Sequence, residues 1–378
     1  MSGQTEDSEE VTVVQRQFMI VRQRRRKYRC RCNGAVVTAP APAKLIPGGR
    51  YSIEFAVEVA TAKYVDHLPL DRQQRMMKRS GLVVDTQTLW DQLDALAGHL
   101  EPIGRSFHRR VLEPQLVQAD ETWWRLMTGR PPKRWWAWCL ASEDTILYRI
   151  LPSRSAKAAA QLLDGFEGVI FADGYSAYEA LARAGPAITL AHCWAHVRRK
   201  YVEAEPFYPR ESREVLDLIE QLYAIERLVP PAGDFAASER ETVLHARARV
   251  RSAQSRTVAM KIRDTALAHH ALPKSALARA GKYMLKLWKG LTRFLEDPAV
   301  PLDNNRVERA LRGLVVGRKN HYGSRSLRGT EVAALFYSLV ETAKLAGVEP
   351  NAYLLEAARA AIKSPGAVIH PRDLLGTG

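Results

Sequence analysis

From position 51 onward the chain switches between apolar residues at helical spacing and short continuous apolar runs, and the switches mark out its parts. YSIEFAVEVATAKYV repeats its apolar positions every three to four residues and predicts a helix. Pro69 suits the first turn of a second helix. Asp85 or Thr86 would cap a third, running through Leu89, Trp90, Leu93 and Leu96. From about Leu112 to Tyr201 the pattern becomes strand-like. LVQAD is a short apolar segment ending in a carboxylate, and RWWAWCL with TILYRIL reads as a hairpin turning at Ser142 to Asp144. A helix over 155–163 follows. GVIFADGY is a continuous apolar run, as expected of a strand buried on both faces. A short helix, then AITLAHCWAH, gives a further strand feeding a basic helix. From Glu211 to Leu295 the pattern is nearly all helical, and helix resumes in NNRVERALRGLV, at Glu331 to Leu345 and at Ala352 to Ile362. Ahead of all this, residues 1–48 read as irregular. Val11 to Val21 offers strand-forming residues, and RQRRRKYRCRCNG and the Pro-rich linker APAPAKLIPGG follow.

Three strands, helix, strand, helix, strand, helix resembles the ribonuclease H-like order. The expected fold class is therefore α/β, a ribonuclease H-like mixed sheet with a helical insertion, plus an N-terminal helical region. The expected divisions are 1–48 (N-terminal segment and linker), 49–105 (helical), 106–205 (first part of the α/β domain), 206–300 (helical insertion) and 301–378 (last part of that domain and C-terminal helices). The helices of 49–105 fit a helix-turn-helix module or a packing unit equally well.

Charge narrows the function. Lys and Arg number 56 against 41 Asp and Glu among 378 residues, a net charge of +15. Such a balance favours polyanions, chiefly nucleic acid. Basic clusters fall at Arg22 to Lys27, Arg198 to Lys200 and Arg306 to Arg318, two of them beside the acidic positions below. No apolar run reaches the roughly 20 residues of a membrane span. The polar, acidic start MSGQTEDSEE does not read as a secretory signal, so cytoplasmic residence is expected. Four cysteines, Cys30, Cys32, Cys139 and Cys193, make no disulfide framework and suit a reducing compartment.

Two apolar strands run into acid, at Asp120 and at Asp173, and a third acid, Glu308, lies on a helix. Two Asp and a Glu carry enough charge to hold a pair of hard Mg²⁺ ions about 3.5–4 Å apart, the arrangement suited to phosphoryl transfer. Each has an ordinary alternative. Asp173-Gly174 is a common turn, Asp120 can cap a turn with Glu121 as the ligand instead, and Glu308 can pair with Arg312 across one helical turn.

The motifs together resemble the insertion-sequence-66 transposase family. They are KYVDHLPLDRQ (63–73), ADET (119–122), FADGYSAY (171–178), HCWAHVRRKY (192–201), LYAIE (222–226), LDNNRVERALRG (302–313), GRKNHYGS (317–324) and VETAKLAGVEPNAYL (340–354). The resemblance implies a DDE-type transposase of ribonuclease H-like fold, with Asp120, Asp173 and Glu308 as the catalytic and metal-binding triad. It also implies two Mg²⁺ or Mn²⁺ ions and a helical insertion between the second Asp and the Glu. DNA is the implied partner, as element ends and target, bound by a homo-oligomer with accessory proteins of the same element, in a bacterial cytoplasm on the nucleoid.

The sequence also departs from the family. It reads as a shortened member in which only a remnant of the paired CxxC zinc region remains, as Cys30-Arg31-Cys32. Two cysteines cannot fill a tetrahedral site, so zinc is not expected. Asp71 replaces the usual Tyr of the HLPLYRQ motif, and His321-Tyr322-Gly323 alters the stretch after GRKN.

Arg198, Arg199, Lys200, Arg309, Arg312, Arg318 and Lys319 are read as DNA-phosphate contacts. Cys193 and His196 have a metal-like spacing without a second pair, which favours a packed thiol and a polar helix residue. Trp123, Trp124, Trp135, Trp136 and Trp138 are read as sheet core rather than a base-stacking platform. Function is thus expected to be metal-dependent strand cleavage and strand transfer at element ends. The alternatives are a truncated DNA-binding relic and a metal-dependent nuclease of the same fold.

Overall fold

The computed structural model describes residues 9–12, 17–32, 34–129, 131–185, 187–235 and 238–376. Residues 1–8 of the acidic start and residues 13–16 of the Val11–Val21 stretch lie outside the described residues. The described remainder of that stretch is not strand. Met19, Ile20 and Val21 are exposed. The first strands are β1 (Lys27–Arg29) and β2 (Val36–Thr38), an antiparallel ribbon. Its turn brings the sulfurs of Cys30 and Cys32 to 2.7 Å.

Three helices follow, each begun by a residue suited to it. Ser52 caps α1 (Ile53–Tyr64), its hydroxyl accepting from the Phe55 N–H at 3.2 Å. Pro69 immediately precedes α2 (Leu70–Arg79). Asp85 caps α3 (Thr86–Val111), accepting from the Thr88 N–H at 2.6 Å. The third helix runs through Pro102 and past residue 105. Leu96, Leu100, Ile103, Phe107 and Val111 continue its buried face, and that burial outweighs the local breaker signal.

Next comes a meander of β3 (Leu116–Leu126), β4 (Lys133–Ala141) and β5 (Ile146–Leu151), antiparallel throughout. Then come α4 (Ala156–Leu162), β6 (Gly168–Ala172), α5 (Ser176–Ala184), β7 (Ile188–His192) and α6 (Trp194–Ala204). The sheet order is β5-β4-β3-β6-β7, with β6 parallel to both β3 and β7. This is the ribonuclease H-like arrangement expected from the sequence. The helical stretch after it comprises α7 (Pro209–Glu226), α8 (Arg240–Val250), α9 (Arg256–Ala268), α10 (Ala276–Lys286) and α11 (Trp288–Leu291). The chain then enters α12 (Asn305–His321), α13 (Leu327–Leu345) and α14 (Pro350–Lys363).

One apolar core joins α1, α3, α13 and α14 to the sheet. The outer edge of β5 is closed by α13, whose Ser338 and Thr342 hydroxyls accept from the N–H groups of Tyr148 (2.8 Å) and Ile146 (3.0 Å). A second core joins Phe171 and Ala191 of the sheet to α6, α7, α9 and α10, so the insertion rests on the β6–β7 side. Among the described residues no helix is long and apolar enough to cross a membrane.

Within the insertion, Glu226 binds two buried guanidinium groups, those of Arg247 and Arg251, whose side chains are 6% and 2% exposed. Arg251 also donates to the Phe294 carbonyl at 2.8 Å. Replacing Glu226 with Ala leaves both charges in the interior without their carboxylate. The expected cost is about 3–5 kcal/mol in urea unfolding; a loss below about 1 kcal/mol would show that the network adds little.

Candidate active site

Asp120 does not end its strand. The β-branched and aromatic residues Thr122, Trp123 and Trp124 continue β3 opposite β4, with Asp120 facing Cys139 and Trp124 facing Trp135. What ends near Asp120 is the pairing of β3 with β6. Gln118 lies opposite Phe171, and two residues further along the same register Asp120 comes level with Asp173, just past β6. The strand-end expectation therefore fits Asp173 and is corrected for Asp120. The two carboxylates are nonetheless neighbours on parallel backbones.

The turn at Asp173 is fixed from two sides. Gly174 has φ +91°, a conformation favoured only by glycine, and a side chain there would press on Leu287. The Asp173 carboxylate accepts from the Tyr175 N–H at 3.0 Å, and the Tyr283 hydroxyl of α10 donates to the Asp173 carbonyl. The insertion thus holds the backbone that presents Asp173.

Asp120 accepts from the Glu121 N–H at 2.8 Å. Burial, followed by the negative charges of Glu121, Asp173 and Glu308, pushes its carboxyl up to about 7. Glu121 occupies the opposite face of the strand, as alternation requires. There it is gripped by Arg154 (Nε at 2.7 Å) and by the Tyr178 hydroxyl at 2.9 Å. Burial raises its carboxyl while Arg154 opposes that rise. These partners give Glu121 a structural task, and sequence alone had not singled out Arg154 or Tyr178 for it.

Glu308 is held over the sheet by its own helix. Asp303 accepts from the Asn305 N–H at 3.2 Å and opens α12. The Val307 N–H donates to the Gln118 side chain at 3.3 Å, Arg306 donates to the Ser142 carbonyl at 2.8 Å, and the Trp194 N–H donates to the Leu302 carbonyl at 2.9 Å. These bonds tie the start of α12 to β3, to the β4–β5 turn and to α6. Glu308 does not pair with Arg312. Its neighbours are His196 (Nδ1 at 3.6 Å) and Arg199 (3.8 Å), both from α6.

Cys193, at the start of α6, completes this corner. Its sulfur, an imidazole nitrogen of His196 and a carboxylate oxygen of Glu308 all lie within 4.8 Å of one another. Cys193 is 1% exposed, and burial raises its thiol to about 12. Burial likewise lowers the His196 imidazole, against the pull of Glu308. The C-x-x-H spacing was visible in the sequence, but the partner contributed by α12 was not.

Of the basic residues singled out by sequence, Arg198, Arg199, Arg309, Arg312 and Lys319 are exposed, and Lys200 pairs with Glu203 at 2.9 Å. Arg198 lines a cleft of about 600 Å³ between α6, α7 and the start of α12, with Tyr223 and Arg227. Arg318 departs from the set. It is 6% exposed and caps the edge of β3 left open beyond β6 by donating to Thr122 and to the Trp123 carbonyl, with its guanidinium 3.7 Å from the Trp123 ring centre. Of the tryptophans, Trp124 and Trp138 are core as expected, whereas Trp123 is 40% exposed.

A family model described as Transposase IS66 family matches residues 48–332. The uncharacterized protein y4jD of Sinorhizobium fredii (strain NBRC 101917 / NGR234) is 32% identical, over 92% of this chain and 70% of the relative. A second uncharacterized protein of that organism, y4qI, is 33% identical, over 92% of this chain and 66% of the relative. The chain thus spans about two thirds of the length of these relatives.

Proposed function

Because this chain belongs to the transposase IS66 family, with DNA as the family's partner, we propose that it cleaves DNA strands at the ends of an insertion sequence and joins them to a target. The observation that carries this reading is the alignment of Asp120 with Asp173 on neighbouring strands, with the α12 turn that bears Glu308 bound to the same sheet. The residues fit divalent ions. A buried carboxyl raised to about 7 by burial and neighbouring acids lacks a compensating cation, and one oxygen of Glu308 is buried without a hydrogen-bond partner. The donors are all oxygens, the set preferred by Mg²⁺ or Mn²⁺. Asp120, Asp173 and Glu308 would hold such a pair, which when bound supplies charge neutralisation at the attacking and leaving oxygens. The chain's own part is to orient the scissile phosphate, and the exposed Arg199, Arg309 and Arg312 flank Glu308 where the backbone would lie.

The test couples cleavage to metal and pH. Above its unfolded-state value of 3.8, a carboxyl raised to about 7 binds more protons in the folded than in the unfolded chain. Its contribution to stability is present below about pH 4 and is lost as pH rises through about 7. Coordination requires the ionised form and releases that proton. Mg²⁺ is therefore expected to raise the melting temperature more at about pH 8 than at about pH 6, and to support cleavage of a plasmid carrying element ends. Equal stabilisation at both pH values, or cleavage in EDTA, would remove the reading. A metal-dependent nuclease would cut the same plasmid without joining it, so strand-transfer products separate the two.

Binding to DNA is expected to be mainly electrostatic, given the net charge of +15 and the exposed arginines of α6 and α12. If about six phosphates are contacted, affinity for non-specific duplex falls by about 10³-fold or more between about 50 and 200 mM salt. A flat salt titration would contradict this.

A further inference from the structure

We propose that Cys193, His196 and Glu308 form a binding site for a thiophilic divalent ion, with Zn²⁺ as the type, and that filling it withdraws Glu308 from DNA cleavage. The second clause rests on the reading of Glu308 as the third carboxylate. Cys193 and His196 stand three residues apart across the first turn of α6, so both project from the same side of the helix. Glu308 arrives from α12, and the three ligand atoms gather within 4.8 Å. Ligand atoms around a tetrahedral zinc, at bonds of 2.0–2.3 Å, lie about 3.3–3.7 Å apart. The His196 Nδ1 to Glu308 Oε1 distance of 3.6 Å falls in that range and is too long for a hydrogen bond between them.

The polar atoms at this corner lack partners that a metal would supply. His196 Nδ1 and Glu308 Oε1 are both buried and unbonded among the described residues. The main-chain N–H dipoles of Asn304 and His196 oppose the burial that raises the Cys193 thiol. Sulfur and imidazole donors select a borderline ion over Mg²⁺, and three protein ligands leave a fourth position open. As the sulfur–metal bond forms, the thiol proton passes to solvent. Asp120 and Asp173 are not in this group, so the site shares one ligand with the proposed cleavage centre.

The test is a Co²⁺ titration of the full chain carrying C30S and C32S, which removes the exposed sulfur pair of the β1–β2 turn. The expected result is saturation at one ion, with a sulfur-to-cobalt charge-transfer band and the strong visible bands of four-coordinate Co²⁺, displaced by Zn²⁺. The charge-transfer band disappears with Cys193→Ser, and affinity falls at least about tenfold with His196→Gln. Absence of the band in the parent, or its survival in Cys193→Ser, overturns the site whatever the variants' stability. At fixed Mg²⁺, one equivalent of Zn²⁺ is expected to slow cleavage by the parent at least about tenfold, and to slow Cys193→Ser less. Equal inhibition of both overturns the regulatory clause. A parent that never cleaves in Mg²⁺ refutes the reading of Glu308 together with that clause, while the cobalt spectrum decides the site independently.

Discussion

Replacing Asp173 with Asn is expected to lower Mg²⁺-dependent strand cleavage by about 10³-fold or more while leaving the fold intact. The substitution keeps the carbonyl oxygen that accepts from the Tyr175 N–H, so the turn after β6 retains its hydrogen bond. The Tyr283 contact goes to the Asp173 backbone and does not sense the side chain. What changes is charge. Asp120 loses one of the neighbours that push its carboxyl up, so without metal the variant should melt at the same temperature as the parent or slightly higher. With Mg²⁺ the order reverses, because the variant has lost a ligand and gains little from the ion. Duplex affinity should stay within about twofold, since phosphate contacts come from basic side chains. Cleavage at the parental rate would exclude Asp173 as a ligand. A collapse in melting temperature would show a structural role instead.

The sheet was legible because its strands are apolar runs bounded by turn residues, and these survive as β3 to β7. Asp173 was legible for the same reason, since the run VIFA stops where the acid stands. The strand-end placement of Asp120 was inexact. LVQA looked like a complete strand, but the hairpin partner β4 carries β3 on through Trp123 and Trp124, and cross-strand pairing is a long-range fact that local pattern does not hold. Glu121 follows alternation, yet its link to Arg154 joins residues on different elements and is not written in either segment. Arg318 misled because a basic cluster on a helix usually faces solvent. Here it is drawn inward by the unpaired carbonyl edge of β3, which exists only because β6 is shorter. The pairing of Glu308 with α6 rather than with Arg312 is likewise a product of how α12 is anchored.

Glu308→Gln separates a ligand from a helix ion pair, and the expected outcome is a loss of cleavage of about 10³-fold with little change in melting temperature. Glu308 lies four residues past Asn304, in the first turn of α12, where the helix dipole favours negative charge. Losing that charge and the ion pair to Arg199 costs well under about 1 kcal/mol, because Arg199 is 57% exposed and the pair is 3.8 Å long. His196 at 3.6 Å makes no hydrogen bond to it, so none is broken. The anchors of the helix, Val307 to Gln118 and Arg306 to Ser142, lie on other residues and are untouched. Glutamine has the same length and keeps one carbonyl oxygen, so a mild effect would mean that charge at this position is not needed. Two further substitutions sharpen the assignment. Glu308→Asp keeps the charge but shortens the reach and should recover part of the activity in Mn²⁺, which accepts looser geometry than Mg²⁺. Glu121→Gln breaks the grip of Arg154 and Tyr178, so it should lower the melting temperature rather than act on metal dependence. If Glu121→Gln abolished Mg²⁺ stabilisation while Glu308→Gln left cleavage unchanged, the third carboxylate would be Glu121 and the triad proposed here would be wrong.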